Sequence, residues 1–211
     1  MLSLVIALIS AYYALRGPEI VARPLKEVLV YRDGEGENAV AIVAARIQMI
    51  NTASSEYGDL LEEAEARIGS VPAWYPIQSE VEPVFTTDRP DCALGKRCHY
   101  LSNLVLIEEG IDMIDLPGGA ARSAYLTFAL TPTMCSGSTA HCARLNTFST
   151  VARMLSNGRQ RVIIRLKFIG DGVRELRCTL RPLDERFLRK NGWQSARCQQ
   201  SVSTGSRFWD T

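Results

Sequence analysis

The chain has 211 residues, a formal net charge of +1, 46% hydrophobic residues and 22% charged ones. That length supports one well-filled core and is small for two, and the apolar content excludes extended disorder. Acids and bases are interspersed, so there is no basic face of the kind nucleic acid requires, and no nucleic-acid partner is expected.

The chain opens on a run of mostly apolar residues from Met1 to Leu15. As a helix rising ~1.5 Å per residue it would span roughly 22 Å, short of the ~30 Å hydrocarbon core. Tyr12 and Tyr13 suit the interface, Arg16 can snorkel outward, and Gly17 with Pro18 stops the helix. No basic segment precedes the run and no small-residue cleavage site follows it, which favours an anchor over a cleaved signal peptide. Residues 1–16 are therefore expected to be a transmembrane anchor or signal segment, with the membrane as partner, and residues 17–27 a charged, Pro24-containing linker. Arg16, Arg23 and Lys26 lie carboxyl-terminal to the run. The positive-inside rule then points the domain to the cytoplasm, against the location that the cysteines imply.

The domain proper is expected over residues 28–198. Residues 28–31 read as a strand, 32–38 as a glycine and acid turn, and 39–50 as a second strand completing a hairpin. Asp33, Glu35 and Glu37 alternate as calcium-loop ligands do. Asn38 stands where that loop needs glycine and Ala44 where it needs glutamate, so a solvated turn is expected. Residues 60–68 fit a strand or a helix, and the short length with strands on either side favours strand. Residues 79–86 alternate as a strand placed at an edge or end by Pro83. A loop with Cys92 and Cys98 follows. Residues 104–107 and 111–116 look like a hairpin around Glu108, Glu109 and Gly110, and residues 124–130 form another strand.

Cys135 and Cys142 sit in the next Ser, Gly and Thr-rich loop. Residues 145–156 predict a helix, because Phe148, Val151, Ala152 and Leu155 recur at helical spacing before Gly158. The strongest hairpin comes next. Val162, Ile164, Leu166 and Phe168 face the core, Gly170, Asp171 and Gly172 turn the chain, and Leu176, Cys178 and Leu180 return on the buried face. Residues 183–190 suggest a helical turn, Cys198 lies beyond it, and residues 199–211 form a polar tail.

Short strands joined by Gly, Pro and Asn turns, with one clear helix, predict a mainly β fold. The expected form is an antiparallel β-sandwich-like domain with one or two short helices, behind a membrane helix; an α+β sheet with helices on one face is the alternative. Six cysteines in near-neighbour pairs, Cys92 with Cys98, Cys135 with Cys142 and Cys178 with Cys198, read as a disulfide framework and place the domain in an oxidising, extracytoplasmic compartment such as a periplasm. Spacing alone leaves fifteen pairings open. Cys98 with His99 and His141 with Cys142 raise a zinc alternative, which the spacing disfavours because zinc knuckles use shorter Cys spacings. No cofactor, metal site or catalytic residue is expected, since G-x-S-x-G, H-E-x-x-H, P-loop and G-x-G-x-x-G patterns are absent from the sequence. The functional expectation is a membrane-anchored binding or assembly module, with another envelope protein as a candidate partner. The alternative is an envelope hydrolase with a site near His99 or His141.

Overall fold

Period-two alternation and continuous apolar runs together dictate the architecture, because a strand alternates when one face meets water and runs apolar when both faces are covered. In the computed structural model the described residues are 5, 19–36, 39–53, 57–69, 74–86, 92, 96–109, 113–130, 148–184 and 192–200. The elements in chain order are β1 (Ile20–Asp33), β2 (Val40–Asn51), β3 (Asp59–Ile68), β4 (Tyr75–Phe85), β5 (Arg97–Leu101), β6 (Leu104–Glu109), β7 (Ile114–Leu116), β8 (Ala121–Leu130), α1 (Phe148–Ser156), β9 (Gln160–Phe168), β10 (Gly172–Leu180) and β11 (Trp193–Gln200).

The strands pair antiparallel in the order β5-β6-β4-β8-β2-β1-β11-β10-β9-β3-β7. An additional β3–β4 pairing, Glu65 opposite Pro76 and Ala66 opposite Tyr75, joins the run β4-β8-β2-β1-β11-β10-β9-β3 into a nearly closed ring. The expected sandwich is thus corrected to a nearly closed antiparallel sheet. The joining ladder is short, and the two strands then diverge. Past it, β3 pairs with β7 and β4 pairs with β6, so β4 leaves the wall carrying the β5–β6 hairpin with it.

Alternate residues fill the ring's interior: Val28 and Val30 from β1, Val43, Ala45, Ile47 and Met49 from β2, Leu126 and Phe128 from β8, and Val162, Ile164, Leu166 and Phe168 from β9 all belong to one buried cluster. Val151, Ala152 and Leu155 of α1 join it, as the helical spacing predicts. The helix is tied at one end of the ring, where the Gln160 side-chain amide donates to Met154 O at 2.7 Å and the Leu183 N–H to Leu155 O at 3.0 Å. Gly69 turns there with φ of +70°, a conformation that strains any other residue, and a Cβ on it would lie 2.8 Å from the end of the Gln160 side chain and 3.0 Å from Met154 Sδ, so those side chains would have to shift.

The opposite end is closed by buried polar side chains. Asn51 donates to Tyr57 O and Leu116 O, and its Oδ1 accepts the Ala53 N–H. Buried Asp59 accepts N–H bonds from Leu60, Gly170 and Asp171 at 2.8–2.9 Å. Asp171 in turn accepts the Ile20 N–H at 2.7 Å, and Arg174 donates to Ile20 O at 3.1 Å. Side chains thereby hold the start of β1 beside β10 where the β1–β11 ladder, which spans Glu27–Tyr31, does not reach.

A second buried cluster lies on the other face of β1, β2, β4 and β8, formed by Leu29, Tyr31, Ile42, Ala44, Val81 and Ala129 with Leu101, Leu104 and Leu106 of the β5–β6 hairpin. This layer explains why Val28–Tyr31 and Ala41–Ala45 are buried at every position rather than at alternate ones.

Several further expectations are corrected. Most of the linker expected over residues 17–27 is strand from Ile20 onward, with a register shift between Pro24 and Val28 absorbing the proline that cannot donate to a ladder. β6 and β7 do not form a hairpin with each other. Instead β5 and β6 do, through a tight turn at Ser102 and Asn103 in which Ser102 takes φ of +33°. β11 extends to Gln200, so the tail does not begin at 199. Other expectations hold: residues 60–68 lie in a strand, and Pro83 falls past the last β8 partner of β4, Val81, where β4 keeps only β6. The expected membrane helix over residues 1–16 lies, apart from Val5, outside the described residues, as do residues 185–190 of the expected helical turn. Among the described residues no helix is long and apolar enough to cross a membrane.

Candidate functional site

A group of titratable side chains from three strands surrounds His99, on β5. Its Nδ1 lies 3.3 Å from Asp33 Oδ1 at the end of β1, and its Nε2 lies 3.7 Å from Glu108 Oε2 on β6. Arg97 meets the same two carboxylates, at 3.6 Å from Asp33 and 3.7 Å from Glu108. Two basic and two acidic groups therefore alternate around a closed ring. The Tyr31 ring packs below it, tilted, with its centroid 5.8 Å from that of His99.

Topology explains the meeting. Asp33 is the last residue of β1, and the β5–β6 hairpin folds over the β1–β2 face so that residues more than sixty positions later in the chain come to rest against it. The hydrogen bond with His99 holds the Asp33 carboxyl below its ordinary value of 3.8, with the His99 and Arg97 charges helping and burial opposing. Burial pushes the Tyr31 phenol far upward, and the charges of Asp33 and Glu108 add to the shift, so this hydroxyl does not ionise in the working range.

An aspartate at one histidine nitrogen is also the arrangement that orients a general base. Here the second nitrogen, which such a base needs for its substrate, faces Glu108, and the His99 side chain is 11% exposed. No serine, threonine or cysteine nucleophile is paired with it among the described bonds, and Cys98 is in a disulfide. Among the described residues no group of three His, Cys, Asp or Glu side chains is disposed to hold a metal ion. The arrangement links the β5–β6 hairpin to the end of β1.

Two described cavities lie away from this ring. The cleft where β3 and β4 diverge, lined by Leu61, Ala64, Ile77 and Ile114 under a rim of Glu62, Glu63 and Glu80, holds about 20 Å³, room for one water. The larger depression, about 420 Å³, is an open groove on the outer face of β3, β9 and β10, lined by Glu63, Glu65, Arg165, Lys167, Val173 and Glu175. Its two cations are paired: Arg165 lies 3.4 Å from Glu175, and Lys167 lies 2.9 Å from Glu62 and 3.6 Å from Glu63. Trp74 stacks under the guanidinium groups of Arg165 and Arg67 at 3.9 and 4.9 Å, while Tyr75 is buried in the core.

Of the expected framework, Cys92 and Cys98 are bonded, with Cα atoms 6.0 Å apart, closing the loop before β5 beside the charged ring. Cys178 is also disulfide-bonded, and the β10–β11 register sets it opposite Gln200 and sets Leu180 opposite Cys198. Cys135, Cys142 and His141 lie outside the described residues. Sequence reasoning brought none of Asp33, Arg97 and Glu108 to His99. The one available signal was the alternation of Arg97 with His99, which places both on the same side of a strand. No family model, curated protein or solved structure matches this chain.

Proposed function

We propose that this chain is a membrane-anchored extracytoplasmic domain that works as a binding or assembly module, presenting surfaces rather than a reaction chamber. The observation that carries the reading is the filled interior. Sites for small molecules are clefts of ~300–1,000 Å³ with a few converging polar groups, whereas among the described residues the ring interior is packed with Val, Ile, Leu, Met and Phe side chains, the cleft between β3 and β4 holds about 20 Å³, and the 420 Å³ groove is an open depression on the outer face rather than a chamber. The Cys92–Cys98 bond supports the oxidising compartment, and the apolar run Met1 to Leu15 supports the attachment.

The test is fractionation of cells producing the full chain, followed by protease treatment with the membrane intact and peptide mapping without reductant. The expected result is a membrane-bound domain, digestible from the outer side, with its cysteines oxidised. A soluble fraction carrying free thiols at Cys92 and Cys98 overturns the reading.

The Asp33–His99 contact is the observation that favours the hydrolase alternative. Replacing His99 by alanine separates the two: a binding module retains its function with a loosened β5–β6 hairpin, whereas a hydrolase loses activity completely.

A further inference from the structure

Single exposed apolar side chains are ordinary on any protein surface. Their distribution here is not. Among the described residues the exposed large hydrophobics are Val5, Phe85, Met113, Ile169 and Val173. Ile169 (59% exposed) and Val173 (57%) flank the Gly170, Asp171 and Gly172 turn that joins β9 to β10. Met113 (61%) precedes Ile114, whose partner Leu61 follows the residue that receives the Ile169 N–H, Leu60. Three of the five therefore gather at one end of the barrel, and a fourth, Val5, lies in the apolar amino-terminal run.

This is also the end at which the chain enters. Ile20, the first residue of β1, donates its N–H to Asp171 in the same turn at 2.7 Å and accepts from Arg174 at 3.1 Å. Leu15, the last residue of the apolar run, is five residues earlier, and five extended residues reach at most ~17 Å. Wherever the apolar run inserts, the β9–β10 turn is held within that distance of it. A turn kept so near a bilayer and bearing two exposed branched apolar side chains is built to touch the interface.

We propose that the β9–β10 turn, through Ile169 and Val173, docks on the lipid surface that holds the amino-terminal segment, and so fixes the barrel's orientation with the α1 end and the β5–β6 hairpin pointing away from the membrane. The proposal rests on the anchored reading above. The occupant is a bilayer rather than a protein, because the tether keeps the turn within reach of lipid.

The experiment uses the full chain with native disulfides oxidised, reconstituted in phosphatidylcholine vesicles with or without brominated acyl chains. An environment-sensitive fluorophore is placed at Ile169→Cys and, separately, at Ser102→Cys, in the exposed β5–β6 turn. Flotation of the vesicles reads attachment, and quenching by bromine reads contact. The expected result is that both proteins float and that the label at position 169 is quenched at least twofold more than that at 102. Adding Val173→Glu should lower quenching at 169 toward the 102 level without stopping flotation. Flotation with equal quenching at the two positions overturns the docking and leaves the anchor standing. Chains that remain with the dense fraction overturn both.

Discussion

The two buried layers of this protein are equally apolar and are closed in different ways. The interior of the ring is bounded by paired strands around nearly its whole circumference and by α1 at one end, so each residue in it is held by long ladders such as β1–β2 and β2–β8. The outer layer is covered by a five-residue strand and a six-residue strand that join the wall through the single β4–β6 ladder and through Asp33 in the ring around His99, while Cys92–Cys98 and the Lys96–Glu109 pair at 2.8 Å brace the hairpin itself. An interior closed by ladders on every side fails globally, whereas a lid held along one edge can open on its own.

The largest expected effect lies in the interior. Phe128 is fully buried on β8, where it faces Ile77 and Val43 across the two flanking ladders. Phe128→Ala should cost about 3–5 kcal/mol, and urea denaturation should show one transition at a lower midpoint with every amide losing protection together. If the mutant loses protection only in β5 and β6, the interior is not the layer whose loss is global, and the contrast collapses.

Leu106→Ala comes next. Leu106 is buried beneath the hairpin and belongs to the outer cluster. Its cost should fall near 2 kcal/mol, the low end for such truncations, because a short hairpin can settle into the space left behind. Hydrogen exchange should report the loss mainly in β5, β6 and the end of β4, with the β9–β10 amides unchanged. Uniform loss across the barrel would remove the distinction between the layers.

Reducing the lid's covalent fastening should act similarly. Cys92 and Cys98 close a loop of seven residues, for which chain entropy gives about 2.4 kcal/mol as an upper figure. The Cys92→Ser, Cys98→Ser double variant should therefore lower the midpoint by less than Phe128→Ala does and expose β5 to proteolysis first. A midpoint equal to that of the parent, with no new cleavage in residues 86–103, would show that the disulfide does not hold the lid.

How legible each layer was in the sequence follows from the same difference. The β9–β10 hairpin alternates in plain view, from Val162 to Phe168 and from Leu176 to Leu180, because one of its faces meets water. The run Ala41–Ala45 also marked a strand, but an unbroken apolar run cannot say what covers its second face, and nothing local announced that the β5–β6 hairpin would lie there. β5 itself, Arg-Cys-His-Tyr-Leu, is short and mostly polar and has the composition of a loop. The ring closure rests on two residue pairs between β3 and β4, too few to leave a pattern. The charged ring was illegible for a related reason: Asp33 carried the signature of a turn, and only the folded lid gives it His99 as a neighbour.

The smallest effect is also the most specific to the lid. Asp33 has its folded pKa held below the ordinary carboxyl value, first by the hydrogen bond from His99. A carboxylate of this kind contributes stability that is fully present above its unfolded value, near pH 4, and is lost as the pH falls through the lower, folded value. Because the Asp33 side chain is 35% exposed, solvent screening keeps the contribution below about 1 kcal/mol. Urea midpoints measured at pH 5 and at pH 2.5 should therefore drop further for the parent chain than for Asp33→Asn, which has no carboxylate to protonate. The excess should appear as faster exchange in β5 and β6 rather than in the interior strands. An identical drop in the two proteins would mean that the lid is held by its apolar underside and its disulfide alone, and the charged ring would then be a consequence of closure rather than one of its causes.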